Sequence, residues 1–199
     1  MNNLITSCRS IRICNMAKII LGLVGPIASG KDTVKKYLEK KYGATGCRFS
    51  SILRDILERI DLPNSRENMQ GLSTILRQKF GEDILAKAIA SDAIKLKSNI
   101  VVVDGVRRMA DIKFLKNTPG FYLVAVDAEP KIRYERLVKR GENAGDAKKT
   151  YSQFLKDHQY ETELDVPMLM KKAKYKLDND GSLVDLHKQI DKLIQSIKK

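Results

Sequence analysis

The chain has 199 residues, 43% of them hydrophobic, enough for one sizeable core and too few for a second full domain. No run of about 18 apolar residues occurs, so a membrane-spanning helix is excluded and a soluble chain without a membrane partner is expected. The 37 Lys and Arg against 24 Asp and Glu give a formal net charge of +13, which suits a polyanionic partner or phosphorylated ligands, or only a lysine-rich surface.

The opening MNNLITSCRSIRICNM lacks the continuous apolar core of a secretory signal, and Met16 stands just before the first strand-like run. Residues 1–17 are therefore expected to be a disordered extension, or an upstream reading of the true start. Cys8, Cys14 and Cys47 are odd in number and have no metal-ligand spacing, which fits plain thiols in a reducing, cytoplasmic setting.

The run KIILGLV, 18–24, is nearly all apolar and rich in branched side chains, as in a strand covered on both faces. It leads into GPIASGKDT and then a helix in which Val34, Tyr37, Leu38 and Tyr42 recur at helical spacing, stopped by Gly43. A second strand is expected at CRFS, 47–50, and a helix with Ile52, Leu53, Ile56, Leu57 and Ile60 on one face follows. Two more helical pieces run from Leu72 to about residue 96, and NIVVVDG, 99–105, is the clearest buried strand. ADIKFLKN looks helical, FYLVAVDA (121–128) is another buried strand, and Pro130 opens a long helix. The polar stretch GENAGDAKK precedes a helix near Tyr151. YKLDND suggests an edge strand, and Ser182 an N-cap for the last helix. Strands alternating with helices predict one α/β domain with a parallel sheet of about five strands and helices on both faces.

Gly25, Gly30 and Lys31 fit the phosphate-loop pattern G-x-x-x-x-G-K-[ST] between a buried strand and a helix. Glycines let such a backbone curl so that N–H groups, here including those of Ala28 and Ser29, surround a phosphate at the positive end of the helix dipole. Lys31 then reaches the terminal phosphates, and Thr33 offers its N–H and hydroxyl. Asp32 departs from the pattern by standing where a magnesium-ligating hydroxyl belongs. A carboxylate there is either an alternative hard-oxygen ligand or an ordinary acid at a helix start. Asp104, ending the strand VVVDG, is a second candidate for the metal's surroundings.

Arg54, Arg107, Arg108, Arg136 and Arg140 all fall beside predicted loops at the same sheet edge. Guanidinium forks suit phosphate oxygens, and phosphoryl transfer needs cations around the moving group, so the set reads as a clamp for two phosphorylated substrates.

With these motifs the chain, over residues 18–197, resembles the nucleoside monophosphate kinase group of P-loop proteins, which includes adenylate kinase and dephospho-CoA kinase. The likeness extends to the adenylate-kinase-related, dephospho-CoA-kinase-like proteins of archaea and some bacteria. It implies a three-layer P-loop NTPase fold with a short lid at about 140–158, a helical acceptor-binding insert at about 50–97, and ATP with Mg2+ as phosphoryl donor. FSSILRDIL looks like the adenylate kinase segment that grips the acceptor's phosphate, which implicates Arg54 and Ser50. DGVRR is similar to the family's Asp-Gly motif followed by an arginine, leaving Arg107 and Arg108 as alternatives in the acceptor and catalytic role. VDAEPKIRYERLVKRGENAGD resembles the strand, helix and lid entry, and Arg136 and Arg140 match the paired donor-phosphate arginines. LDNDGSLVDL resembles the loop passing beside adenine, which implicates Asn179 to Ser182, Gly181 among them. Gly-Lys-Asp-Thr is similar to the loop ending of phage-type deoxynucleoside monophosphate kinases.

The lid GENAGDAKKTYSQFLKDHQYE departs from the family by lacking the paired arginines of adenylate kinases. Lys156 and His158 are nearby cations, and His158 reads as a surface residue rather than a base. The expected activity is transfer from ATP to a small phosphorylated acceptor, a nucleoside or deoxynucleoside monophosphate first and dephospho-CoA second. A nucleotide-dependent nucleic-acid binder is the less favoured alternative, because aromatics are only 6% and no stacking motif appears. A nucleotide sensor without catalysis is the third.

Overall fold

Six consecutive residues, Ile19–Val24 (β1), are buried without exception in the computed structural model, which describes residues 18–141, 146–157 and 164–198. A strand covered on both faces belongs in the middle of a sheet. Accordingly β1 pairs with β3 (Ile100–Asp104) on one side and β4 (Phe121–Asp127) on the other. The edge strands are β2 (Thr45–Arg48) and β5 (Tyr175–Asp178), all pairings are parallel, and the order is β2-β3-β1-β4-β5.

Side chains alternate across this sheet with period two. Ile19, Leu21, Leu23 and Val102 pack on one face against Val34 and Leu38 of α1 (Lys31–Tyr42) and Leu186, Ile190 and Ile194 of α8 (Leu183–Ile197). Ile20, Val24, Val101 and Val103 pack on the other against Ile89, Ala90 and Ala93 of α4 (Ile84–Lys95) and Val166 and Leu169 of α7 (Val166–Lys172). The result is the expected α/β P-loop NTPase-like architecture of three layers. The segment between β2 and β3 holds α2 (Phe49–Arg59), α3 (Arg66–Phe80) and α4. Pro130 starts α5 (Pro130–Arg140), Gly43 closes α1 in the left-handed region at φ 64°, and Ser182 Oγ accepts the Asp185 N–H at α8.

Three local readings need correction, and one helix was not read. The second strand is Thr45–Arg48 rather than 47–50, because Phe49 packs into the core as the first residue of α2 and takes Ser50 into the helix. Ile60 ends α2 exposed instead of continuing its apolar face. ADIKFLKN forms two short 3-10 turns, Met109–Ile112 and Leu115–Asn117, whose Ile112 and Leu115 plug the core. The seven-residue α7 is too short for its periodicity to register in the sequence.

Among the described residues no helix is long and apolar enough to cross a membrane. Residues 1–17, with Cys8, Cys14 and Met16, lie outside the described residues, as do 142–145 and His158 of the expected lid. The described part of that lid comprises the turn Asp146–Lys148 and α6 (Tyr151–Asp157), where Tyr151 and Phe154 meet Tyr134 of α5.

Candidate functional site

The loop between β1 and α1 is held in its curl from three sides. Gly25 runs so close to β4 that a Cβ there would lie 2.1 Å from the Val126 carbonyl oxygen. Within the loop the Ser29 N–H donates to Pro26 O at 3.2 Å, and Ala28 adopts φ 61°, a left-handed conformation uncommon outside glycine. Lys31 crosses back over the turn, its Nζ donating to Gly25 O at 2.7 Å and Pro26 O at 2.9 Å. Ser29 is fully buried, and its Oγ has no hydrogen-bond partner among the described residues. Thr33 sits half-buried in the first turn of α1.

Two buried polar side chains support this loop from behind, and neither role is visible in local sequence. Asn179 Nδ2 donates to Ser29 O at 2.8 Å, while the backbone N–H of Asn179 donates to Asp127 O at 2.9 Å. Asn179 is 4% exposed, and its amide Nδ2 is engaged by the phosphate loop. Its neighbour Gly181 is exposed at the start of α8. Arg133, on the inner face of α5, donates from Nε to Ala128 O at 2.8 Å and from NH1 to Ile27 O at 3.3 Å. Its guanidinium carbon lies 5.4 Å from the Phe154 ring centre, so one side chain touches the phosphate loop and the lid helix together.

At the carboxyl edge of the sheet the two aspartates meet. Asp32, in the first turn of α1, and Asp104, ending β3, share one guanidinium, that of Arg48. Arg48 NH2 is 2.5 Å from Asp32 Oδ1, and its Nε is 2.7 Å from Asp104 Oδ2, a contact of charges without hydrogen-bond alignment. Arg140 NH1 approaches the other Asp32 oxygen at 3.8 Å. Arg48 is the site residue that the sequence reading missed. Its signal was register, since it pairs directly with Asp104 across β2 and β3.

The pairing also bears on magnesium. Among the described residues no group of three or more His, Cys, Asp or Glu is placed to hold a metal. Asp32 and Asp104 supply hard oxygens of the right chemistry, but two carboxylates suffice only when phosphate oxygens and water complete the shell. The residues fit a cation that is bound together with a nucleotide.

Of the other arginines, Arg136 donates from NH2 to the Asn179 carbonyl at 2.7 Å, and its NH1 is buried without a hydrogen-bond partner among the described residues. Arg107 is exposed, whereas Arg108 NH1 is 3.6 Å from Glu82 in the turn between α3 and α4. The turn carrying both is fastened by Asp111, whose Oδ2 accepts their backbone N–H groups at 3.0 and 2.9 Å. Burial holds the Asp111 carboxyl above the usual carboxylate range, and those two N–H groups pull it back. Arg54 is exposed on α2, with Ser50 half-buried one turn before it. The structure thus brings Lys31, Asp32, Asp104, Arg48 and Arg140 to one edge, and Arg54 stands apart on the helical segment.

Comparison with known proteins agrees with the fold. A protein-family model described as an AAA domain matches residues 21–164. A UPF0200 protein of Thermococcus kodakarensis is 30% identical over 187 residues, covering 92% of this chain and 98% of its own. The shikimate kinase structure from Bacteroides thetaiotaomicron superposes with a TM-score of 0.59 at 14% identity, covering 91% of this chain and 99% of the other. A gluconokinase from Sinorhizobium meliloti superposes with a TM-score of 0.51, again at 14% identity, covering 92% and 96%. With the phosphate-loop curl built and the matched stretch running from β1 past the lid helix, the chain belongs to the AAA domain family and to the UPF0200 proteins.

Proposed function

We propose that the protein is a phosphotransferase that moves the terminal phosphoryl group of ATP to a small acceptor. The observation carrying this reading is the convergence of a lysine-closed loop, two carboxylates and two arginines at one sheet edge. Phosphoryl transfer asks a protein for positioning and charge rather than for covalent chemistry, and this edge offers both. Magnesium, bound with the nucleotide beside Asp32 and Asp104, supplies charge neutralisation to the phosphates. The loop amides and Lys31 hold the polyphosphate, Arg136 and Arg140 face it from α5, and α6 shuts out water. The small-molecule kinases named among the structural neighbours support the reaction class.

Arg54, exposed on α2 and without an ion pair or hydrogen bond among the described residues, supports an acceptor that carries its own phosphate. A nucleoside or deoxynucleoside monophosphate is the acceptor that suits it, and dephospho-CoA, which presents a ribose hydroxyl, is second. Arg107 and Arg108, on the turn after Asp104, are the arginines to accompany Arg54. A transfer screen with ATP and magnesium against these acceptors tests the reading. ADP should form only with the right acceptor, and Lys31→Ala should abolish transfer with the fold retained. Arg54→Ala should mainly raise the acceptor KM. Unchanged turnover in Lys31→Ala would dismiss the assignment.

A further inference from the structure

Arg48 occupies an unusual position for a cation. It leaves the last residue of an edge strand, lies level with Asp104 on β3, and reaches across to Asp32 on α1. Three elements are thereby tied through one guanidinium, which is itself 43% exposed, while Asp104 is 11% exposed and Asp32 45%. Arg140 NH1 approaches the second Asp32 oxygen at 3.8 Å, so the two carboxylates face two guanidinium groups. The aspartate that replaces the usual hydroxyl brings a negative charge to this edge, and Arg48 is the side chain that offsets it.

A divalent cation and a guanidinium ask for the same oxygens. A cation arriving alone would have to push Arg48 off both carboxylates and would leave a guanidinium unpaired, and two carboxylates are too few to repay that. A cation arriving on a polyphosphate changes the balance. Its phosphates complete the cation's shell and at the same time offer oxygens that a guanidinium fork binds well. On the phosphotransferase reading above, we propose that Arg48 is a built-in competitor for the divalent cation: it keeps Asp32 and Asp104 closed to free metal and yields them only when the metal comes with a polyphosphate. Arg48 then passes to the phosphates, which makes it a substrate-positioning residue as well as a guard.

The test uses the full chain and no acceptor. Binding of Mn2+ alone, followed by electron paramagnetic resonance, should be weak in the native chain and on the order of tenfold tighter in Arg48→Gln. The double variant Arg48→Gln/Asp104→Asn should return to the native value. In the native chain, the Arg48 Nε–Hε resonance should stay in place with Mg2+ alone and move when Mg2+ is added with inorganic tripolyphosphate. This second measurement needs no substitution and stands even if Arg48→Gln folds poorly. Equal Mn2+ affinities in the native chain and Arg48→Gln, or an Arg48 resonance that shifts with Mg2+ alone as it does with tripolyphosphate present, would overturn the proposal. Failure of the phosphotransferase reading is a different result, the absence of ADP formation with every acceptor, and it leaves the Mn2+ titration intact.

Discussion

Gly30 and Asn179 are 149 residues apart in the chain and in contact in the fold, and their coupling can be measured. Gly30 has φ 101° and ψ 18°, and a Cβ placed on it would stand 2.0 Å from Asn179 Nδ2. Alanine at 30 therefore incurs backbone strain of about 1–3 kcal/mol. It also drives the Asn179 amide off Ser29 O, breaking a buried hydrogen bond and leaving that oxygen unsatisfied, for about 1–3 kcal/mol more. Asn179→Ala alone breaks the same bond and costs about 1–3 kcal/mol. In Gly30→Ala/Asn179→Ala the bond is lost once, so the double variant should be more stable than the sum of the singles predicts by about 1–3 kcal/mol. Urea unfolding of the four chains measures this, provided the slope against denaturant is common to all. A cycle that closes within about 0.5 kcal/mol would refute the shared hydrogen bond, and a Gly30→Ala chain as stable as the native one would refute the strain as well.

Two further outcomes follow from the supporting shell. Arg133→Met keeps much of the side chain's bulk against Phe154 but loses the bonds to Ala128 O and Ile27 O, so it should cost about 2–3 kcal/mol in urea unfolding and weaken binding of an ATP analogue. Arg133→Lys should not restore either property, because one ammonium cannot reproduce the guanidinium fork. For Asp111, burial raises the folded carboxyl above its ordinary 3.8, so its protonated form is the one folding favours. The stability it contributes is full below that value and is lost as pH climbs through the raised one. Native stability minus that of Asp111→Asn, whose amide oxygen can still accept both backbone N–H groups, should therefore fall as pH rises above the ordinary carboxylate value of 3.8. A difference that grows with pH would contradict the assignment.

What could be read in the sequence was whatever chemistry lies within a few consecutive residues. The buried run Ile19–Val24, the glycines at 25 and 30 and Lys31 follow one another along the chain, and strand, turn and helix form from local preference and burial. Asp104 was legible for the same reason, as the end of the apolar run Ile100–Val103. Tertiary structure alone decided the rest of the site. Arg48 became its central cation because parallel register set it level with Asp104, and the helix after the glycine loop carried Asp32 to the same guanidinium. Packing alone turned Asn179, Arg133 and Asp111 inward, each onto a backbone that needed a partner. Propensity and periodicity act over neighbours and so are written along the chain. Which distant carbonyl or carboxylate a polar side chain meets is set by register and by the close packing of layers, and these exist only once the sheet has assembled.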